Sequence, residues 1–289
     1  MAMQMKTIKE KMGTVANIRK VTKAMEMVST SKMKRVLERR EKSLAFSEEA
    51  RNLLINLHHY HHVDHPFFSP GKGEKILVLV IASNRGLCGA YNTNVDREFS
   101  RIVEKYGRER VEAVGIGKEA QRIVLRNGVP LLANFEEFSD IYEADEVRSL
   151  LLFILESFST NQYERILITY TEFINSLSFQ PRTRSLVPLE LNEFNREFLE
   201  EDARSYVFEP SKTEVLNYVV DYVLLTILYQ YLLESLSSEH SSRVMAMRNA
   251  SDNAKEMLEE LVISFNRARQ ASITQEIAEI VGALSALSS

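Results

Sequence analysis

Apolar positions near the two ends of the chain recur every three or four residues, whereas in the middle they bunch into short unbroken runs. From Thr7 to Tyr60 there is no proline and Gly13 is the only glycine; from Ser211 onward there is again no proline, and only Gly282. Ordinary helices stop after a few turns, so these two stretches predict long helices of the coiled-coil kind. At helical rise they would span roughly 80 Å and roughly 115 Å. In the first, Ile8, Met12, Val15, Ile18, Thr22 and Met25 follow one another at steps of four, three, three, four and three, which predicts one packing stripe. In the second, Met247, Ser251, Ala254, Leu258, Leu261, Phe265 and Ala268 alternate steps of four and three, the spacing of a coiled-coil seam.

Between the arms the period changes. Lys75 to Ala82, Val111 to Ile116, Val129 to Phe135 and Arg165 to Tyr170 are short, apolar and rich in β-branched residues, which predicts buried strands. Helical patterns separate them at Asn94 to Tyr106, Lys118 to Asn127 and Ala144 to Thr160. Strands alternating with helices predict a parallel, Rossmann-like sheet. A further extended piece, Leu186 to Leu191, reads as an edge strand because Pro181 and Pro188 lie beside it. The predicted fold is therefore α/β, with a long antiparallel coiled coil formed by the N-terminal helix (1–62) and the C-terminal helix (211–289) around a central α/β domain (74–205).

Both arms leave and re-enter that one domain, so if they pair they run antiparallel. The C-terminal arm is longer by about 20 residues, so its end is expected to project about 30 Å beyond its partner. This overhang carries Ile273, Ile277, Ile280, Val281, Leu284 and Leu287 with few charges. Six such side chains in water make a larger apolar patch than scattered surface residues explain, and a sheath from outside the chain is expected.

Charge adds a second asymmetry. The formal total is −4, but Met1 to Lys42 holds twelve Lys/Arg against four Glu, about +8, which leaves about −12 for the remainder. Arg19, Lys20, Lys23, Lys32, Lys34, Arg35, Arg39 and Arg40 could grip phosphates, but almost no aromatics interleave them and the whole chain is negative. An acidic protein partner is the favoured reading, with a solvated face as the bland one and nucleic acid disfavoured. The single cysteine, Cys88, excludes an intramolecular disulfide and suits a reducing compartment. The early charges do not read as a secretory signal, nor the acidic residues and continuous heptads as a transit peptide. No run of about 20 apolar residues stands out as a membrane span.

Signals for chemistry are weak. Gly115-Ile-Gly117-Lys118 follows a strand and opens a helix, yet it lacks the third glycine of a dinucleotide fingerprint and the spacing of a P-loop, so a tight turn is expected. Ser83 to Gly89 ends the first strand, with Arg85 and Cys88 as tempting groups but no neighbouring histidine or nucleophile elbow. His58, His59, His61, His62 and His65 with Asp64 could hold a transition metal, although loop histidines in water are the simpler reading. His240 reads as a surface or seam residue.

Three segments carry a resemblance. Ile18-Arg-Lys-Val-Thr-Lys-Ala-Met-Glu-Met-Val28, Ser83 to Gly89, and Asn266-Arg-Ala-Arg-Gln-Ala-Ser-Ile-Thr-Gln-Glu-Ile277 followed by Glu279-Ile-Val281 resemble, in order and over essentially the whole chain, the gamma subunit of bacterial-type F-type ATP synthases. One departure is Asn84, where that family usually has aspartate. The cysteine-bearing insertion of the chloroplast form is absent, so the resemblance carries no thiol control.

The resemblance implies a non-catalytic rotor in the central stalk, with no cofactor or metal of its own. It implies a shaft inside a ring of three alpha and three beta subunits, and contacts at the base with the epsilon subunit and the c-ring, to which 38–57 and 206–237 contribute. It also implies a peripheral complex at the cytoplasmic face of the bacterial plasma membrane. By resemblance, Lys23, Met25 and Arg243 meet an acidic lever of the beta subunit, and Arg269 and Gln270, aided by Thr274 and Glu276, meet its catch loop. Ile273, Ile277, Ile280, Val281, Leu284 and Leu287 form the apolar tip in the alpha/beta sleeve. The polar members of both groups also read as ordinary helix surface. Two other function classes stay open at this point: a coiled-coil structural protein that pairs with itself, and a nucleotide-dependent enzyme.

Overall fold

The unbroken apolar runs form strands and the stretches of three- and four-residue spacing form long helices in the computed structural model, which describes residues 2–61, 65–136, 142, 144–160, 162–189, 209 and 211–287. The elements in order are α1 (Ala2–His61), β1 (Lys75–Ile81), α2 (Tyr91–Tyr106), β2 (Val111–Ile116), α3 (Lys118–Arg126), β3 (Leu131–Phe135), α4 (Ala144–Ser159), β4 (Tyr163–Asn175), β5 (Ser178–Val187) and α5 (Lys212–Leu287). The chain divides into two compact units, one made of Met1–Ser29 with Arg243–Ser289, the other of Thr30–Ser242.

The larger unit is built on a five-stranded sheet in the order β3-β2-β1-β4-β5. β1, β2, β3 and β4 are parallel, as expected, and β5 pairs antiparallel with β4. Alternate residues of β1 serve opposite faces. Leu77, Leu79 and Ile81 join α4, the second half of α1 and the start of α5 in one core, while Ile76, Val78 and Val80 join α2 and α3 in the other. From Val223 to Leu236 nearly every residue of α5 is buried or half-buried. That explains a helix apolar on all sides. One stretch of α5 is long and apolar enough to cross a membrane, contrary to the sequence expectation, but 67% of it is buried inside the protein.

The edge strand begins earlier than its sequence suggests, at Ser178 rather than Leu186, and forms a hairpin with β4. Pro181 lies within it, opposite Thr171. Thr171 turns both main-chain groups away from β5: its N–H donates to Ser235 Oγ at 3.0 Å, and its carbonyl accepts from Ser238 Oγ at 3.2 Å. The proline therefore stands where no ladder bond is required. β4 also outruns β1, whose pairing with it ends at Val80 and Thr169. Beyond that point the bare edge of β4 is completed by side chains, with Ser235 and Ser238 on Thr171 and Arg40 Nη2 donating to the Phe173 carbonyl at 3.4 Å. Serines of α5 and an arginine of α1 thus stand in for a missing strand.

In the smaller unit the start of α1, up to Ser29, lies with α5 from Arg243 onward. Along α5 all seven predicted seam residues, Met247 to Ala268, are buried or half-buried, and Ser272 continues the alternation. Along α1 the seam follows Ile8, Met12, Val15, Thr22, Glu26 and Ser29. Ile18 is a correction: it is 49% exposed, because the four-three rhythm passes through position 19 and leaves residue 18 one step round the helix.

Candidate functional site

The register of the helix pair is fixed by a buried charge. Glu26, at a seam position, is only 6% exposed. It accepts from Lys23 Nζ at 2.9 Å on its own helix and from Arg248 Nε at 3.2 Å on α5. The hydrogen bond from Lys23, above all, holds its carboxyl below the ordinary value; burial pushes the other way, and Arg248 adds to the lowering. A carboxyl with a lowered folded value contributes stability that is complete at neutral pH and lost as pH falls through that value. Glu26→Gln is therefore expected to unfold more readily than the wild type at pH 7, with the gap closing below about pH 4. Urea unfolding at both ends of that range checks it, and an undiminished gap in acid would contradict the assignment.

This register also defines the overhang. Ala2, where α1 starts, lies 24 residues before Glu26, and Ser272, the last buried residue of α5 among the described side chains, lies 24 residues after Arg248. Two antiparallel helices of equal rise therefore run out together at Ser272. α5 continues for 15 more residues to Leu287, a shorter overhang than the sequence suggests. There Ile273, Ile277, Ile280 and Val281 are between 48% and 61% exposed and fall on one face. The side chains of Leu284 and Leu287 lie outside the described residues.

The other expected contact residues occupy two zones of the same unit. Lys23 is exposed and Met25 half-buried; Met25 borders a stripe of Ile18, Val21 and Val28, all exposed on the outer side of α1. Arg269, Gln270, Thr274 and Glu276 are exposed on α5, where Thr274 Oγ1 donates to the Gln270 carbonyl at 2.9 Å and Ser272 Oγ to Glu276 Oε1 at 3.3 Å. Arg243 differs from these, being only 7% exposed. Most of its surface is already spent within the chain. Sequence reasoning missed Glu26 and Arg248, although a carboxylate falling on a heptad seam position is a readable signal.

The sheet that could have been a nucleotide site is plugged. In an open α/β sheet a ligand enters beyond the carboxyl ends of the strands where the order reverses, here between β1 and β4. At that place Ser242 Oγ of α5 donates to the Cys88 carbonyl at 2.6 Å, and Tyr91 Oη donates to Ser235 Oγ at 3.2 Å. The Ser83 to Gly89 segment is a structural turn. Its thiol is buried and lies 3.4 Å from Asn92 Nδ2, which also donates to Ser83 Oγ at 2.7 Å. Gly117 has φ +96°, and a Cβ there would collide with the Ala82 carbonyl, so the glycine serves the turn expected of it. The N-terminus of α3 is already capped, since Lys118 N–H donates to Asn84 Oδ1 at 3.0 Å, while Asn84 Nδ2 donates to the Glu136 carbonyl at 3.3 Å. Aspartate at 84 could make the first of these bonds and not the second.

The histidine cluster lies largely outside the described residues; His65 is described and accepts from Phe67 N–H at 3.2 Å as the cap of a short helix. His240 is buried at 6% exposure rather than at the surface. Among the described residues no group of three or more His, Cys, Asp or Glu could hold a metal ion.

Comparison with known proteins agrees with this geometry. A model of the ATP synthase family matches residues 4–287. The ATP synthase gamma chain of Nitrosococcus oceani is 31% identical over 285 residues, covering 98% of this chain and 99% of that protein. That of Cupriavidus pinatubonensis is 33% identical over 288 residues with the same coverage. Among solved structures, the central stalk and c-ring of the Tetrahymena thermophila mitochondrial ATP synthase matches with TM-score 0.64 at 25% identity, covering 80% of this chain and 99% of that one. The Euglena gracilis mitochondrial ATP synthase shares the fold with TM-score 0.69 at 17% identity, covering 99% and 95%. Aligned over nearly its whole length with proteins of one kind, this chain belongs to the family of ATP synthase gamma chains.

Proposed function

We propose that this chain is the central-stalk rotor of an F-type ATP synthase, coupling ion flow through the membrane sector to ATP synthesis or hydrolysis in a ring of three alpha and three beta subunits. It performs no catalysis itself, and its further partners are the epsilon subunit and the c-ring. The complex is membrane-associated, and we place it at the cytoplasmic face of a bacterial plasma membrane. The observation that carries the reading is the helix pair that runs out at Ser272 while α5 goes on alone, its isoleucines exposed. An apolar end of that kind suits a sleeve formed by other subunits.

Within this reading Lys23 and Met25 meet an acidic lever of the beta subunit, Arg243 joins them through the little surface it retains, and Arg269, Gln270, Thr274 and Glu276 meet a second loop. Driving a two-state site from 1:99 to 99:1 takes about 5.5 kcal/mol of differential interaction. One exposed ion pair contributes about 0.2–1 kcal/mol. Torque therefore rests on steric contact spread along the rod, including the Ile18, Val21 and Val28 stripe, with charges steering it.

The test is co-expression with the alpha and beta subunits of the same organism. One copy of this chain per three of each is expected, and recovery as a self-paired coiled coil without them would overturn the reading. In the assembled enzyme Met25→Lys adds a cation facing the lever, and a contact of about 1 kcal/mol changes a rate up to about fivefold. ATP-driven ion pumping is expected to fall by that order while subunit ratio stays the same. Unchanged pumping would count against placing Met25 at the lever.

A further inference from the structure

Asn127-Gly128 is the one Asn-Gly pair in the sequence, and the fold imposes both members. Gly128 has φ +66°, and a Cβ there would collide with the Arg108 guanidinium, which itself donates to the Gly128 carbonyl. Asn127 ends α3 and ties it to α2. Its Nδ2 donates to Asp96 Oδ1 at 2.9 Å and to the Ile123 carbonyl at 3.0 Å, while its Oδ1 accepts from Ser100 Oγ at 2.8 Å. Arg126 Nη1 donates to the other oxygen of Asp96 at 2.7 Å.

This dipeptide carries its own reaction. The main-chain nitrogen of the glycine attacks the asparagine Cγ, the Cγ–Nδ2 bond breaks, and ammonia leaves with the proton shed by that nitrogen. Water then opens the five-membered imide at either carbonyl, giving aspartate or isoaspartate. Glycine permits the attack because no side chain shields its nitrogen.

We infer that Asn127 is a deamidation site which the native fold holds shut and which opens when the end of α3 frays. Three features close it. The amide is fixed at both ends by the bonds to Asp96, Ile123 and Ser100. The attacking nitrogen is occupied, since Gly128 N–H donates to the Leu125 carbonyl at 3.0 Å. The asparagine backbone, at φ −75° and ψ −3°, is helical, and it directs that nitrogen along the helix end instead of onto its own side chain.

The product undoes the clamp that protected its precursor. Aspartate at 127 loses both donations from Nδ2 and sets a carboxylate against Asp96. Isoaspartate inserts a methylene into the main chain at the left-handed turn and displaces the Gly128 N–H from Leu125. Each outcome weakens the tie between the end of α3 and α2, leaving it to Arg126 and Asp96, and with the ammonia lost the change is one-way.

Incubating the full chain at pH 8.5 and 37 °C, folded and in denaturant, then digesting with trypsin and sequencing the 127–148 peptide by mass spectrometry, tests the inference. A gain of about 1 Da at Asn127 is expected at least tenfold faster in the denatured sample. Ser100→Ala, which removes one tether and leaves the core intact, is expected to raise the folded-state rate severalfold. Equal rates in folded and denatured protein, no gain at Asn127 in either, or a folded-state rate unmoved by Ser100→Ala with the fold retained would each overturn it.

Discussion

Replacing Ser235 and Ser238 together by alanine is expected to lower the stability of the protein by about 2–6 kcal/mol, since each change leaves a buried main-chain group of Thr171 without its partner at a cost of about 1–3 kcal/mol. Neither serine is at the surface, and the strand they complete has no neighbour on its β1 side at that point, so water cannot substitute without opening the core. Tyr91 Oη loses its acceptor as well. Ser237 provides the control. Equally buried, it donates to the Leu233 carbonyl one turn back on its own helix, a group already served by the helix ladder, and Ser237→Ala is expected to change stability by no more than about 0.5 kcal/mol. Chemical denaturation of the three proteins reads the difference directly. A double variant as stable as the control would show that α5 does not act as the missing strand.

Deleting Ile280 to Ser289 is expected to do the opposite, leaving the isolated chain as stable as before while weakening its assembly. The removed stretch lies past Ser272, where α5 has no partner helix, and Ile280 and Val281 are more than half exposed, so folding draws little from them. Seated in a sleeve, each would gain about 1.5–3 kcal/mol by burial. Losing both then lowers the affinity for the alpha and beta ring by about 10²- to 10⁴-fold. Thermal unfolding of the chain alone and the subunit ratio of the purified complex separate the two effects. A truncated chain that assembles as firmly as the full one would show the overhang to be dispensable.

Much of the architecture was legible in the sequence, and the reasons differ from element to element. The α5 seam was read correctly because nearly every position of its four-three alternation is apolar. The α1 seam misled because it runs through Glu26 and Ser29, so Ile18, apolar but one step aside, looked like the better member. The strands β1 and β2 announced themselves as β-branched runs buried on both faces. The second half of β4 and most of β5 did not, since an edge hairpin alternates polar with apolar and its turn at Asn175 to Leu177 carries no glycine; the bend is held instead by Leu177 N–H donating to Asn175 Oδ1 at 2.9 Å.

The serines of α5 were illegible for a related reason. Hydroxyls at 235, 238 and 242 inside an apolar helix look like a solvated face, and only the position of the bare strand edge shows that they serve main-chain groups. The residues proposed to face partners are a third case. No periodicity distinguishes Arg269 or Thr274 from any exposed helix position, and resemblance alone singled them out.

The ammonium of Lys23 is not idle in the chain by itself, because Glu26 already engages it. An incoming carboxylate at that position exchanges with a resident one, so the net gain is small whichever acid the lysine holds. A handshake of this kind is entered and released without a deep well. In the rotor role proposed above, that is the property required of a surface that would greet three equivalent neighbours in succession and linger at none.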